Sequence, residues 1–216
     1  KTRAITGIEI NTTYRENEVH ILGFGLPLDS PNLSAMIERN CSERRRRVEK
    51  MVDQLRRAGY GITVAAVLAE GPHAKALGRP HVGKALVRAG IVPDIDSAFR
   101  NLLRRGKPGY VASTHITPHE AVREIGAAGG VAVMAHPGRL RDRTIVDELA
   151  ARGLHGLEVF YPLHDAVDVS AFREKAKYYG LFMTAGSDFH DIRYHTRGVG
   201  MNVADDDIAP FLNRVG

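Results

Sequence analysis

Residues 131–135 read Val-Ala-Val-Met-Ala, the first of three short apolar runs in the second half of the chain. The other two are Leu-Glu-Val-Phe at 157–160 and Leu-Phe-Met-Thr at 181–184. Helical patterns precede or separate these runs, at 118–128, 144–152 and 167–179. Short strands that are apolar on both faces, each reached through a crossover helix, are typical of a buried parallel sheet. The sequence therefore predicts an α/β fold, either an α/β barrel or an open parallel sheet.

The two ends of the chain add further strands. Residues 4–14 and 18–24 are rich in β-branched side chains and partly alternate in polarity, and a polar stretch separates them. This pattern predicts two strands joined by a turn. Near the other end, residues 200–203 are predicted to form a final strand that leads into a short helix ending near Leu212.

A helix-rich block is predicted between these parts. Apolar residues recur at intervals of three and four from Ser30 to Gly59, which indicates one long amphipathic helix. Shorter helices are expected near 63–70, 81–89 and 95–104, separated by glycine and proline. We interpret residues 29–110 as a subdomain inserted into a domain made of residues 1–28 and 111–216.

The composition is that of a globular protein. Of the 216 residues, 44% are hydrophobic and 25% are charged, and no apolar run approaches the roughly 20 residues that cross a bilayer. A single cysteine, Cys41, cannot form an internal disulfide, and no basic-apolar leader opens the sequence. We therefore expect a cytoplasmic protein without a membrane partner.

Positive charge concentrates in residues 38–57, within a chain of formal net charge +5. Such a cluster could contact a nucleic-acid backbone. Acidic residues are interleaved with it at spacings that allow ion pairs along a helix, so we favour a solvated helix face.

Ligand-type side chains follow strand after strand. His136 ends the first apolar run, Glu158 lies in the second, and Asp188 and His190 follow the third in the stretch Gly186-Ser-Asp-Phe-His190. Parallel strands bring their C-terminal ends to one face, where such folds place their sites. With Glu9 and His20 from the opening hairpin, the mixture of carboxylate and imidazole predicts a site for manganese, zinc or iron. Taken singly, each histidine could instead hydrogen-bond to backbone.

Another segment suits a phosphate group, and one more histidine could reach the pocket at the strand ends. Arg79-Pro-His81-Val-Gly-Lys84 places proline at a helix start, where free backbone N–H groups lie beside charged donors. An ordinary helix start is the alternative. His164 lies just beyond the second apolar run and could reach the pocket at the strand ends.

Six segments resemble the polymerase and histidinol phosphatase (PHP) domain family, in the family's order. They are Gly7-Ile-Glu9-Ile, Val19-His20-Ile-Leu-Gly23, Arg79-Pro80-His81-Val, Ala135-His136-Pro137, Gly156-Leu-Glu158-Val and Gly186-Ser187-Asp188-Phe-His190. Within the family, the Val19-His20-Ile-Leu-Gly23 segment, the helical insert and the Arg-Pro-His segment most resemble the branch that removes the 3′ phosphate of nucleotide 3′,5′-bisphosphates and trims RNA from its 5′ end.

The resemblance implies a distorted (β/α)7 barrel that holds up to three divalent ions, usually manganese, zinc or iron. By this resemblance Glu9 bridges two metals, His20 and His136 complete the ligands of the second, Asp188 helps to hold the first, and His190 belongs to the third. Glu9, His136 and Asp188 are then the catalytic centre. The resemblance also assigns substrate phosphate to Arg79 and His81, with weaker roles for Lys84 and His164.

The sequence also departs from the family pattern. Family members begin with a His-x-His segment and then carry Thr-Asp-His-Asp, and neither occurs here. We therefore expect a barrel that is incomplete at its N-terminus, with a complete protein ligand set only for the second metal.

Three functions are consistent with these residues. The first is a phosphoesterase acting on nucleotide bisphosphates or short RNA, with metal ions, rather than a protein nucleophile, activating water. The second is a histidinol-phosphate phosphatase, which shares the ligands but generally lacks the insert. The third is a non-catalytic remnant that binds metal or phosphate without turnover.

Overall fold

The computed structural model describes residues 4–15, 17–27, 29–74, 76–112, 116–189 and 198–216. The chain forms two compact units. The first comprises Lys1–Ser34 with Ile116–Gly216, and the second is Ala35–His115. The fold is mixed α/β.

A five-stranded sheet, in the order β1-β2-β3-β4-β5, organises the first unit. Its strands are β1 (Gly7–Tyr14), β2 (Asn17–Phe24), β3 (Val131–Met134), β4 (Gly156–Phe160) and β5 (Phe182–Ala185). Strand β2 runs antiparallel to both β1 and β3, while β3, β4 and β5 are parallel to one another. The opening hairpin and the three parallel strands predicted from the sequence are thus confirmed.

A helix precedes each of the three parallel strands, as the helical patterns in the sequence predicted. They are α5 (Pro118–Ala127) before β3, α6 (Thr144–Ala150) before β4 and α7 (Ala166–Tyr179) before β5, and α8 (Asp205–Val215) closes the chain. Local caps fix their starts: the Thr117 hydroxyl accepts a hydrogen bond from the backbone N–H of Glu120, and Asp165 accepts one from Asp168. All four residues of β3 are buried, as a central strand requires.

The second unit is helical. It contains most of α1 (Pro31–Arg57), then α2 (Val64–Ala69), α3 (Arg79–Arg88), and α4 (Ile95–Ala98) continued by a π-turn over Phe99–Leu103. Its core is apolar and includes Met51, Leu55, Leu86 and Leu103. The unit therefore has a hydrophobic core of its own.

The arginines of α1 have structural partners. Arg45 pairs with Glu49, Arg46 with Glu43 and Arg57 with Asp53, at helical spacings of three or four. Arg44 and Arg47 donate to the backbone carbonyls of Leu77 and Val111, at 2.7 and 2.9 Å. The ion pairs that the sequence predicted along this helix are confirmed.

The strand predicted at 200–203 is wrong. Gly198 and Gly200 have φ angles of +79° and +85°, far from the extended region. The backbone N–H of Gly200 donates to the hydroxyl of Ser187 at 3.1 Å instead of joining the sheet. No helix in the described residues is long and apolar enough to span a bilayer.

Candidate metal centre

The register of the β1–β2 hairpin brings three polar residues onto one face of the sheet. Asn11 lies directly opposite His20, and Glu9 lies two residues before Asn11 on the same strand. The side-chain nitrogen of Asn11 is 2.8 Å from Nε2 of His20. The other ring nitrogen, Nδ1, lies 2.6 Å from Oε1 of Glu9. Strand alternation therefore aims a carboxylate and an imidazole at a common point.

His136 completes this cluster from the turn after β3. The backbone N–H of Ala135 donates to the carbonyl of His20 at 3.0 Å, which holds the end of β3 beside β2. The side chain of His136 is buried, and its Nε2 lies 3.8 Å from Oε1 of Glu9. One ligand atom from each of Glu9, His20 and His136 lies within 4.8 Å of the others. Two strands and a turn thus bring together three residues that are far apart in sequence.

The electrostatics of the cluster fit a bound cation. In the described part of the chain, both ring nitrogens of His136 are buried without a hydrogen-bond partner, which is costly unless another ligand satisfies them. The rings of His136 and His20 hold the pKa of Glu9 well below its usual range, so this carboxylate is ionised. One carboxylate oxygen and two imidazole nitrogens form a suitable donor set for a transition metal or zinc.

Asp188 lies outside this three-residue cluster. Its Oδ2 is 3.3 Å from the guanidinium of Arg139 and 3.4 Å from the hydroxyl of Tyr161. Its φ angle of +51° is unusual for a residue other than glycine. His190, the other residue predicted from this stretch, lies outside the described residues.

Glu158 has a structural role that the sequence did not reveal. It lies in β4 with only 5% of its surface exposed, and its Oε2 accepts a hydrogen bond from the backbone N–H of His136 at 2.8 Å. Burial raises the pKa of Glu158 to about 7. The only signal in the sequence was a single glutamate within an apolar run, and this pattern does not show which residue the glutamate contacts.

His164 has both ring nitrogens engaged by backbone. Its Nε2 accepts from the N–H of Gly138 at 3.0 Å, and Nδ1 lies 2.9 Å from the carbonyl of Val159. Burial lowers the pKa of His164, which favours the neutral ring that this pattern requires. Contact with a substrate would require one of these bonds to break.

The predicted phosphate corner lies in the second unit, on the first turns of α3. His81 Nδ1 accepts from the backbone N–H of Gly78 at 3.2 Å, and burial lowers the pKa of its ring. The Arg79 guanidinium lies 5.8 Å from the centroid of the Phe99 ring. Lys84 is exposed on the same helix. The three side chains thus share one short segment, with proline at the helix start.

Comparison with known proteins relates this geometry to a family. No protein-family model matches the sequence. A 3′,5′-nucleoside bisphosphate phosphatase of Chromobacterium violaceum is 34% identical over 202 residues, which cover 91% of this chain and 70% of that protein. This chain belongs to a family of PHP-like phosphoesterases.

Two other relatives of this phosphoesterase are named for different activities. A phosphoribosyl 1,2-cyclic phosphate 1,2-diphosphodiesterase of Eggerthella lenta is 32% identical over 87% of this chain and 73% of its own length. A 5′-3′ exoribonuclease of Escherichia coli is 30% identical over 86% of this chain and 65% of its own length. All of these names describe phosphoric ester hydrolases.

A solved structure shares the fold of this phosphoesterase. A protein from Bifidobacterium adolescentis, whose name describes a metal-dependent phosphoesterase, matches with a TM-score of 0.84 and 30% identity. The match covers 97% of this chain and 76% of that one. Metal dependence in the family agrees with the cluster of Glu9, His20 and His136.

Proposed function

We propose that this chain hydrolyses phosphate esters of nucleotides, namely 3′,5′-bisphosphates, or of RNA 5′ ends, using divalent metal ions. The observation that carries the proposal is the convergence of Glu9, His20 and His136, together with the two buried ring nitrogens of His136, which lack hydrogen-bond partners among the described residues. The bisphosphate phosphatase and exoribonuclease relatives support this choice of substrate.

The proposed roles follow from the chemistry of each side chain. Glu9, His20 and His136 hold a cation, most simply manganese, with zinc and iron as alternatives. Divalent ions in such sites supply Lewis acidity and activate water at neutral pH. Asp188 and His190 would extend the centre toward the two further ions implied by the family resemblance.

Substrate binding is proposed for the start of α3. Arg79 offers a planar fork of donors that suits a phosphate, and His81 and Lys84 add donors on the same segment. Their contribution would be to orient the phosphate and neutralise its charge. His164 keeps a weaker role at the rim, because both its ring nitrogens already bond to backbone.

We also propose an arrangement of the strands and of the helical unit. The five described strands would form part of a distorted (β/α)7 barrel, with the helix-rich residues 29–110 as an inserted subdomain. The separate apolar core of the helical unit supports the interpretation of these helices as a subdomain.

A second candidate substrate is a cyclic phosphodiester of a ribose phosphate. The Eggerthella lenta relative, whose name describes this activity, is nearly as similar to the chain as the bisphosphate phosphatase. The same metal cluster would serve both reactions, so substrate contacts decide between them.

Phosphate release with manganese tests the proposal. Four substrates should be compared: adenosine 3′,5′-bisphosphate, a 5′-phosphorylated short RNA, a ribose 1,2-cyclic phosphate and histidinol phosphate. We expect turnover of the first or second, and its loss in His136→Ala but not in His73→Ala, which removes an exposed histidine outside the cluster. Preference for histidinol phosphate, or metal binding without turnover of any substrate, would contradict the proposed function.

A further inference from the structure

His136 has a backbone conformation that its sequence disfavours. Its φ and ψ angles are 32° and 57°, in the left-handed region. A side chain in that region costs roughly 1–3 kcal/mol and persists only where surrounding structure enforces it. The next residue is Pro137, and a residue before proline is normally extended. Some specific contact must therefore hold His136 in place.

Glu158 supplies such a contact. Strands β3 and β4 are parallel neighbours, with Met134 opposite Leu157, so the side chain of Glu158 reaches the turn that follows β3. Its Oε2 accepts the backbone N–H of His136 at 2.8 Å. Because the N–H direction depends on the local backbone angles, this bond helps to select the left-handed turn.

The Glu158 carboxylate is also closely packed against Gly186. A Cβ atom on Gly186 would lie 2.2 Å from Oε1 of Glu158, so this position accommodates only glycine without movement. Gly186 lies two residues before Asp188, in the loop after β5. One buried carboxylate therefore contacts both loops that carry candidate metal ligands.

Glu158 is separate from the ligand cluster itself. The atoms that converge on one point within the described residues belong to Glu9, His20 and His136. Burying a carboxyl group in an apolar strand is costly unless its hydrogen bonds compensate. A function in holding the turn explains why this residue type occupies the middle of β4.

We propose that Glu158 is a positioning residue: its bond to the backbone of His136 holds that imidazole where it can bind a metal ion. This inference rests on the proposed metal centre. Substituting a residue that orients a metal ligand, without touching the ion itself, typically lowers metal affinity by about 10- to 100-fold.

Two substitutions of Glu158 distinguish the effect of side-chain length from the effect of side-chain charge. Glu158→Gln removes the charge but keeps an oxygen at the same distance. Glu158→Asp keeps the charge but shortens the side chain by one methylene, so its oxygens withdraw from the His136 N–H. Glu174→Asp is the matched control, because that glutamate is exposed on α7.

Cobalt(II) binding provides the first measurement, through titration calorimetry and the visible absorption of the bound ion. We expect Glu158→Gln to bind within a few-fold of the unchanged protein, and Glu158→Asp to bind at least about tenfold more weakly. Equal losses in both variants would show that Glu158 is a direct ligand. Unchanged binding in Glu158→Asp would overturn the proposal.

Amide hydrogen exchange at His136 provides a second measurement that needs no metal. We expect a protected His136 amide in the unchanged protein and in Glu158→Gln, and faster exchange in Glu158→Asp. An unprotected amide in the unchanged protein would overturn the positioning role. If the unchanged protein shows this protection but binds no cobalt, the proposed function fails while the contact between Glu158 and His136 stands.

Discussion

Oε1 of Glu9 lies 2.6 Å from Nδ1 of His20, on adjacent strands of the opening hairpin. The same oxygen is 3.8 Å from Nε2 of His136, which comes from the far side of β2. Glu9 is thus the residue that both imidazoles share. Removing its charge should affect the whole cluster.

Glu9→Gln should weaken manganese binding by more than tenfold, since loss of a direct ligand costs at least as much as loss of a supporting contact. Elemental analysis after dialysis and titration calorimetry would measure the change. Glu18→Gln, on the same hairpin but outside the cluster, should bind normally. Equal metal content in Glu9→Gln and the unchanged protein would remove Glu9 from the site.

The stability of the metal-free protein should depend on pH through Glu158. Its pKa rises from 4.5 to about 7 on folding, chiefly because the group is buried, and the nearby carboxylates of Asp188 and Glu9 contribute. The folded state therefore favours the neutral acid. Its stabilising effect is complete below about pH 4.5 and is lost as pH rises to about 7.

Glu158→Gln should remove this dependence while keeping the hydrogen-bond acceptor. In chelator-treated protein, the variant should gain stability relative to the unchanged protein between about pH 4.5 and 7, by up to about 3 kcal/mol. Urea unfolding at several pH values would measure the gain. A constant difference across this range would show that Glu158 does not titrate there.

His164→Ala should destabilise the protein, because the substitution leaves the N–H of Gly138 and the carbonyl of Val159 without this partner. The expected loss is about 1–3 kcal/mol in the free energy of unfolding. Thermal and urea unfolding would measure it, with exposed His73→Ala as the control. Unchanged stability with a raised KM would instead favour the substrate role suggested by the sequence.

Arg79→Ala should raise KM about 10- to 100-fold and leave the metal content unchanged, because it removes charged hydrogen bonds to the phosphate. Steady-state kinetics and elemental analysis on the same samples would measure both quantities. Arg56→Ala removes an exposed arginine elsewhere in the second unit and should change neither. Loss of metal from Arg79→Ala would contradict the proposed division between metal and phosphate residues.

Sequence periodicity was sufficient for most of the secondary structure. The apolar runs at 131–135, 157–160 and 181–184 form β3, β4 and β5, because short apolar runs separated by helices are typical of a parallel sheet. The predicted strand at 200–203 did not form. Its first residue, Gly200, and the nearby Gly198 adopt positive φ angles, which an apolar pattern does not indicate.

Sequence alone also identified Glu9, His20 and His136 as ligand-type residues at strands or strand ends. Only the tertiary structure decided that these three meet, because their contact depends on the register of β1, β2 and β3. It also showed that Glu158 accepts a hydrogen bond from the backbone of His136, and that His136 lies in a left-handed turn. Side-chain alternation depends only on residues that are close in sequence, so it can be recognised from the sequence. Strand register and strained turns depend on packing between segments that are distant in sequence.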